Sequence, residues 1–175
     1  MIIDGLKVGV IVFFAAVVQT AVFSDISVLG GVPDILLVTL VAVALLRGAT
    51  TGACAGFFAG LVVDIALLGT LGMTSLLLTL VGYWTGRYGE TGPSRRRYAP
   101  YLAVATMTVL FAVGSLVLRF MLGEPAPAQE VLVETLAQSV ALNLLATWPS
   151  FAIVRRVLPP RQVATTFGPE VSVVG

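Results

Sequence analysis

Apolar stretches of twelve or more residues, separated by short clusters of charged and turn-forming residues, follow one another along almost the whole chain. Only 11% of the 175 residues are charged and 58% are hydrophobic, with a mean hydropathy of +1.02. An average soluble domain has about 25% charged residues. Apolar stretches of this kind are typical of transmembrane helices. The sequence therefore predicts an all-α integral membrane protein.

Six apolar segments divide the chain, and we interpret them as six membrane passes in one transmembrane domain, residues 1–158. The predicted passes are 7–24, 34–46, 48–67, 71–87, 98–122 and 130–156, and residues 159–175 form a short cytoplasmic tail. The second apolar run, Ile35 to Leu46, gives only about 18 Å of helix, against a hydrocarbon core of about 30 Å. It must borrow flanking residues, thin the bilayer or lie inside the bundle. Merging it with the third segment gives a five-pass alternative.

The positions of the basic residues test the topology, because positively charged loops stay in the cytoplasm. Six passes with both ends inside place nine of the ten basic residues on the cytoplasmic side, and Arg119 is the exception. The nine are Lys7, Arg47, Arg87, Arg95, Arg96, Arg97, Arg155, Arg156 and Arg161. The sequence therefore favours six passes over five and predicts a bundle with its N- and C-termini inside.

The residue types exclude several kinds of chemistry. The chain has no histidine and a single cysteine, Cys54, which excludes histidine catalysis, Cys/His metal sites and an internal disulfide. Serine and threonine nucleophiles lack an activating base, and there is no phosphate-binding loop. Asp34 and Asp64 could do acid–base work as a pair, but both are predicted at a wet surface without a pocket. We therefore expect no enzymatic activity, no cofactor, no metal and no nucleic acid, and we expect the lipid bilayer to surround the protein.

Three glycines recur every four residues in the third segment, in the stretch GACAGFFAGLVVD, which ends in Asp64. Residues four apart lie almost over one another on a helix, so Gly52, Gly56 and Gly60 form one shallow groove. Helices in lipid associate by close packing over small residues. The groove predicts either packing within the bundle or docking of a partner's transmembrane helix, and the row itself does not separate the two.

Two acidic residues are predicted at the outer ends of helices. Asp34 follows Pro33 at the start of the second helix, where a carboxylate can accept backbone N–H bonds as the N-cap residue. Asp64 lies near the outer end of the third helix. We expect Asp64 to be either a solvated residue at the helix end or a residue paired inside the bundle with Arg119.

A polar stripe enters the sixth segment from outside. Glu130, Glu134 and Gln138 recur every four residues, and Asn143 continues the polar content deeper. Acidic residues are favoured in a first helical turn, but Gln138 lies beyond that turn. The stripe predicts either a water-filled vestibule or hydrogen bonds to Arg119 and its neighbours. For Asn143 we expect hydrogen bonding between helices.

The middle of the chain resembles the MreD family of bacterial rod-shape-determining membrane proteins. The resemblance rests on VPDILLVTLVAVALLRG and GACAGFFAGLVVDIALLGTLGMTSLLLTLVGYWTGR, about a third of the chain. In the family pattern, Pro-Asp opens an apolar segment that ends in a basic residue, and a G-x-x-x-G-x-x-x-D element, a glycine-rich break and a further apolar helix follow. The matching positions are Pro33, Asp34, Arg47, Gly56, Gly60, Asp64, Gly69 and Gly72.

The resemblance implies a non-enzymatic scaffold or regulator of cell elongation in the bacterial inner membrane. The implied partner is MreC, a single-pass protein with a periplasmic coiled coil. The resemblance also implies coupling to the MreB filament, to a SEDS-type glycosyltransferase and to a class B penicillin-binding protein, which build lateral peptidoglycan. The family is similar in fold to the substrate-binding S components of energy-coupling factor transporters. The alternative function is therefore that of an S component of a small-molecule transporter.

Overall fold

The computed structural model of the protein describes residues 2–22, 33–68, 70–91, 98–123 and 129–158, without the side chains of 2–4, 22 and 129–134. Within these ranges the chain forms six α-helices and no β-strand. The helices are α1 (Ile2–Val22), α2 (Ile35–Arg47), α3 (Ala49–Ala66), α4 (Met73–Glu90), α5 (Ala99–Met121) and α6 (Gln129–Val157). The predicted all-helical class is confirmed, and each predicted segment overlaps one helix. The predicted tail, residues 159–175, lies outside the described residues.

Two helices extend by several residues beyond the apolar segments that predict them. Helix α1 begins at Ile2, ahead of the predicted residue 7, and α4 continues to Glu90, past the predicted residue 87. Apolar content marks only the part of a helix that suits lipid, whereas the backbone hydrogen bonds of a helix continue into its polar flanks. Hydropathy therefore underestimates the length of these two helices.

Three helical stretches in the described residues are long and apolar enough to cross a membrane, judged by length and composition. They are Ala49–Ala66, Ala99–Met121 and Thr135–Val157, the last being most of α6. Two shorter apolar stretches, Gly5–Ala21 and Ile35–Arg47, accompany them. These features are those of a helical membrane protein. The number of passes and their orientation stay predictions.

The short helix α2 lies at the centre of the bundle. All nine residues from Leu36 to Ala44 are buried, and α2 contacts each of the other five helices. Its 13 residues span about 20 Å. Of the three ways in which a short apolar helix can be accommodated, the structure uses burial inside the bundle.

The five-pass alternative is wrong in its main premise, because α2 and α3 are two helices separated by Gly48. The backbone of Gly48 has φ +93° and ψ 178°, a conformation that only glycine adopts readily. A Cβ added at this position would lie 2.6 Å from Glu90 Oε1. Position 48 therefore requires glycine for its backbone conformation, and a larger residue there would also displace the carboxylate of Glu90.

The core includes only part of α5 and α6. The buried residues of α5 all lie between Ala99 and Thr108. On α6 the described buried residues are Asn143, Thr147, Phe151 and Val154, which share one face because their spacing is close to whole helical turns. The core is thus formed around α2, with the first half of α5 and the second half of α6 packed against it.

Candidate functional site

The glycine row of α3 lies directly against the backbone of α4. A Cβ added at Gly56 would overlap the carbonyl of Leu78, and one added at Gly60 would overlap Ser75 Cα. At Gly52 the nearest group is the carbonyl of Gly82 on α4. We call this contact between α3 and α4 the glycine seam. Because α4 of the same chain fills the row, docking of a partner helix against Gly52, Gly56 and Gly60 does not fit the structure.

Helix α4 contributes glycines of its own to the seam. A Cβ at Gly82 would overlap the carbonyl of Gly52, and one at Gly86 would overlap Ala49 Cα. Neither residue was expected from the sequence to pack against α3. Their spacing of four in GYWTG was the available signal, because it repeats the spacing of the row on α3.

Asp64 closes one end of the seam. Its carboxylate accepts backbone N–H bonds from Gly72 (2.8 Å), Thr74 (3.2 Å) and Ser75 (3.3 Å), at the start of α4. Its side chain is buried, with 4% of the residue exposed. The expectation of a solvated residue at the helix end is therefore wrong. The alternative partner, Arg119, lies exposed in the last turn of α5, and the described hydrogen bonds of Asp64 go to the backbone of α4.

Glu90 closes the other end of the seam. As the last residue of α4, it accepts a hydrogen bond at Oε1 from the backbone N–H of Ala49, the first residue of α3, at 2.9 Å. Each helix of the pair thus supplies a carboxylate to the N-terminus of the other, where free N–H groups and the helix dipole favour negative charge. Glu90 was not expected from the sequence, because nothing in its local pattern indicates a partner 41 residues away.

A second polar cluster surrounds the start of α2. Asp34 is the N-cap residue, as predicted, and its Oδ1 accepts from the N–H of Leu37 at 2.9 Å. The N–H of Asp34 donates to Asn143 Oδ1 at 2.7 Å, and Asn143 Nδ2 donates to Thr108 Oγ1 at 3.1 Å. Asn143 is fully buried. The predicted hydrogen bonding of Asn143 between helices is confirmed.

Helix α1 contributes Gln19 to the same cluster. Gln19 Oε1 accepts from the N–H of Ile35 at 2.9 Å, and Nε2 donates to the carbonyl of Pro33 at 3.2 Å. We call Gln19, Asp34, Thr108 and Asn143 the α2 cluster. Gln19 and Thr108 were missed, although a polar residue inside an apolar stretch was the signal that drew attention to Asn143.

The remaining predicted residues lie outside both features. Arg47 is the last residue of α2, and Gln138 is partly buried on α6. The side chain of Glu134 lies outside the described residues. The predicted vestibule along Glu134 and Gln138 therefore stays a prediction.

Among the described side chains, the acidic residues have a structural use. No group of three or more His, Cys, Asp or Glu side chains among them could hold a metal ion. The acidic residues Asp34, Asp64 and Glu90 each cap a helix N-terminus. These carboxylates therefore fix helices in place, which is a structural role.

Comparison with protein families decides the assignment. The family model for rod shape-determining protein MreD matches residues 2–157. The chain belongs to the MreD family. The resemblance seen in the middle of the sequence is thus confirmed and extends over all six helices. Neither a search of curated proteins nor a search of solved structures found a match.

Membership of the MreD family implies a role in rod-shape determination, in a family of structural membrane proteins. The structure gives a physical role to most residues of the MreD motif. Pro33 and Asp34 start α2, Gly56 and Gly60 belong to the seam, and Asp64 caps α4. Most residues of the motif therefore serve to join α2, α3 and α4.

We expect the seam to tolerate no side chain at position 56. Gly56→Ala should lose about 1–3 kcal/mol of stability, because its methyl group would overlap the backbone of α4. Gly56→Leu should prevent assembly of a monodisperse protein. Gly9→Ala is the matched control, since a Cβ there has nothing within 4 Å. Unfolding of the purified protein by sodium dodecyl sulfate measures the difference. Equal stability of Gly56→Ala and the parent would contradict the backbone contact.

We expect Asp64→Asn to destabilise the protein by about 1–2 kcal/mol, because its NH₂ group cannot accept the N–H bonds that the lost oxygen accepted. Asp64→Ala removes both acceptors and should lose more, about 2–3 kcal/mol. The same unfolding titration gives the order of the three proteins. A solvated aspartate would leave Asp64→Ala as stable as the parent, and that result would rule out the capping role.

Proposed function

We propose that this chain is a non-enzymatic scaffold or regulator of the cell-elongation complex, which binds MreC and supports lateral peptidoglycan synthesis. The observation that carries the proposal is the match of the MreD family over residues 2–157, nearly the whole helical part of the chain. The wider complex would include MreB, a SEDS-type glycosyltransferase and a class B penicillin-binding protein. The location would be the bacterial inner membrane.

The use of polar groups in the structure supports a scaffold. The carboxylates of Asp34, Asp64 and Glu90 are each bonded to a helix N-terminus, and the amides of Gln19 and Asn143 join helices to the start of α2. Groups held in this way stabilise one arrangement of helices. A partner's transmembrane helix can recognise such a surface in lipid, because the helices that form it keep fixed positions.

The proposed partner contact lies outside the glycine seam. The seam is already filled by α4, so a partner helix could reach Gly56 only by displacing it. Helix–helix recognition in lipid then depends on the outward faces of the other helices. Cysteine cross-linking in a Cys54→Ser background is a direct way to map this contact, since Cys54 is the only natural cysteine.

Affinity purification from native membranes, followed by mass spectrometry of stoichiometric partners, tests the proposal. The expected result is a single-pass protein with a periplasmic coiled coil, together with wall synthases. Recovery of a pair of ATPases with a coupling subunit would instead identify a transporter S component, and the scaffold proposal would be abandoned. The Gly56→Leu variant serves as the control, because a protein with a disrupted seam should lose specific partners.

The proposed topology has six passes with both ends in the cytoplasm. Helices α2, α4 and α6 each carry arginine in the last turn, Arg47, Arg87 and Arg155–Arg156, which suits ends that stay inside.

Labelling of single cysteines in whole cells tests this topology. In a Cys54→Ser background, a membrane-impermeant maleimide should label Ala126→Cys, in the predicted outer connection between α5 and α6. Ser94→Cys, beside Arg95, should be labelled only after the cells are opened. The reverse pattern would invert the orientation of the protein.

A further inference from the structure

A groove of about 700 Å³ lies between α4 and α5. Trp84 and Tyr88 of α4 form one wall, and Leu102, Thr106, Met107 and Leu110 of α5 line the other. The seam glycines Gly82 and Gly86 face α3, so the groove uses a different part of α4. It belongs neither to the glycine seam nor to the α2 cluster.

The groove is large for an internal packing defect and small for a transmembrane helix. A helix that is 10–12 Å across fills about 700 Å³ with only about five residues, little more than one turn. Its walls are mainly large apolar side chains. Helices that pack tightly in lipid use small residues at their contact. A flexible hydrocarbon chain fits this volume and this lining better than a second helix does.

An exposed positive charge, Arg87, lies on α4 next to the residues that line the groove. Arg87 lies one turn after Trp84 and directly before Tyr88 on α4, and 57% of its side chain is exposed. Its Nη1 lies 3.5 Å from Glu90 Oε2, a surface contact of small energetic value. A guanidinium group carries five N–H donors, so Arg87 can contact Glu90 and a phosphate together.

The residues beside Arg87 are those expected at a membrane interface. Tryptophan and tyrosine concentrate at the level of the lipid headgroups, and Trp84 is 57% exposed. The sequence between α4 and α5 adds Arg95, Arg96 and Arg97, which are not part of the site but attract anionic lipid to this end of the two helices. Basic positions beside a groove between membrane helices suit an anionic headgroup.

We propose that the groove between α4 and α5 binds an anionic phospholipid, with an acyl chain along Met107 and Leu110 and the phosphate on Arg87. The apolar lining accounts for the chain, and Arg87 accounts for the preference for negative charge. This assignment stands on the groove itself and does not depend on the proposed partner. It gives the protein a specific lipid site in addition to its general contact with the bilayer.

The two tryptophans of the chain provide a direct test. Trp84 lines the groove, whereas Trp148 lies exposed on α6 away from it. Trp148→Phe leaves only the fluorescence of Trp84, and Trp84→Phe leaves only that of Trp148. Each variant is reconstituted in phosphatidylcholine vesicles with increasing fractions of dibrominated phosphatidylglycerol. Dibrominated phosphatidylcholine is added in a parallel series, and quenching gives the relative affinity of the two lipids at each tryptophan.

The expected result is a preference of about fivefold for phosphatidylglycerol at Trp84, the effect of one basic residue near a membrane surface, and no preference at Trp148. Because Arg95, Arg96 and Arg97 also attract anionic lipid, the comparison is made with all three replaced by Gln, and in this Trp148→Phe background Arg87→Gln should abolish the preference. Arg156→Gln, at another exposed arginine, should leave it unchanged. Thr106→Phe should reduce quenching of Trp84 by filling the groove. Circular dichroism and size-exclusion chromatography verify that each variant is folded.

Three results would overturn the assignment. Equal quenching of Trp84 by both lipids would mean that bilayer lipids contact the groove without any preference for negative charge. A preference that survives Arg87→Gln would remove the phosphate contact. Protection of Trp84 from both lipids would mean that protein, a second copy or a partner helix, fills the groove. None of these results bears on co-purification with MreC, so the lipid site and the proposed function can fail separately.

Discussion

The arrangement of this bundle depends on the contact of α3 with α4 at backbone distance. When two helices associate in lipid they gain no hydrophobic free energy, because the lipid tails are as apolar as the side chains. Their association therefore depends on close packing and on hydrogen bonds. The glycine seam supplies the first, because Gly56 on α3 and Gly82 on α4 leave no side chain between the two backbones. Asp64 and Glu90 supply the second, one at each end. Two N-termini that would otherwise present unpaired N–H groups inside a membrane protein are satisfied within one helical hairpin.

Helix α2 packs against this hairpin. Because α2 is short and begins inside the bundle, its first N–H groups need hydrogen-bond partners, and the α2 cluster supplies them. A helix that begins inside a bundle exposes N–H groups where water does not reach, which costs free energy unless they find partners. Asp34 accepts one such N–H bond, from Leu37, and Gln19 of α1 accepts another, from Ile35. Asn143 of α6 accepts the N–H of Asp34 and in turn donates to Thr108 of α5. The start of α2 therefore links α1, α5 and α6, just as its sides contact α3 and α4.

The sequence predicted features that depend on local pattern and failed where the partner is distant. Apolar length and turn residues located six helices, and Pro33-Asp34 correctly predicted an N-cap. The spacing of Gly52, Gly56 and Gly60 defined a face of α3, but a face does not say which helix covers it. Asp64 was misjudged for the same reason. Its position near a helix end suggested water, whereas the chain turns back through Gly72, whose φ is +94°, and brings the start of α4 over the carboxylate.

The motif residues and the exposed second half of α5 bear differently on a role in rod-shape determination. Most of the residues that identify the MreD family in this sequence join α2, α3 and α4, so they maintain the arrangement of these helices. In α5, by contrast, burial ends at Thr108, and Val113, Val117 and Phe120 are exposed. Contacts made there by lipid or protein break no hydrogen bond of the seam or of the α2 cluster. Substitutions in the motif and on the outer face of α5 should therefore differ in kind, since the first destabilise the folded protein and the second change what contacts its surface.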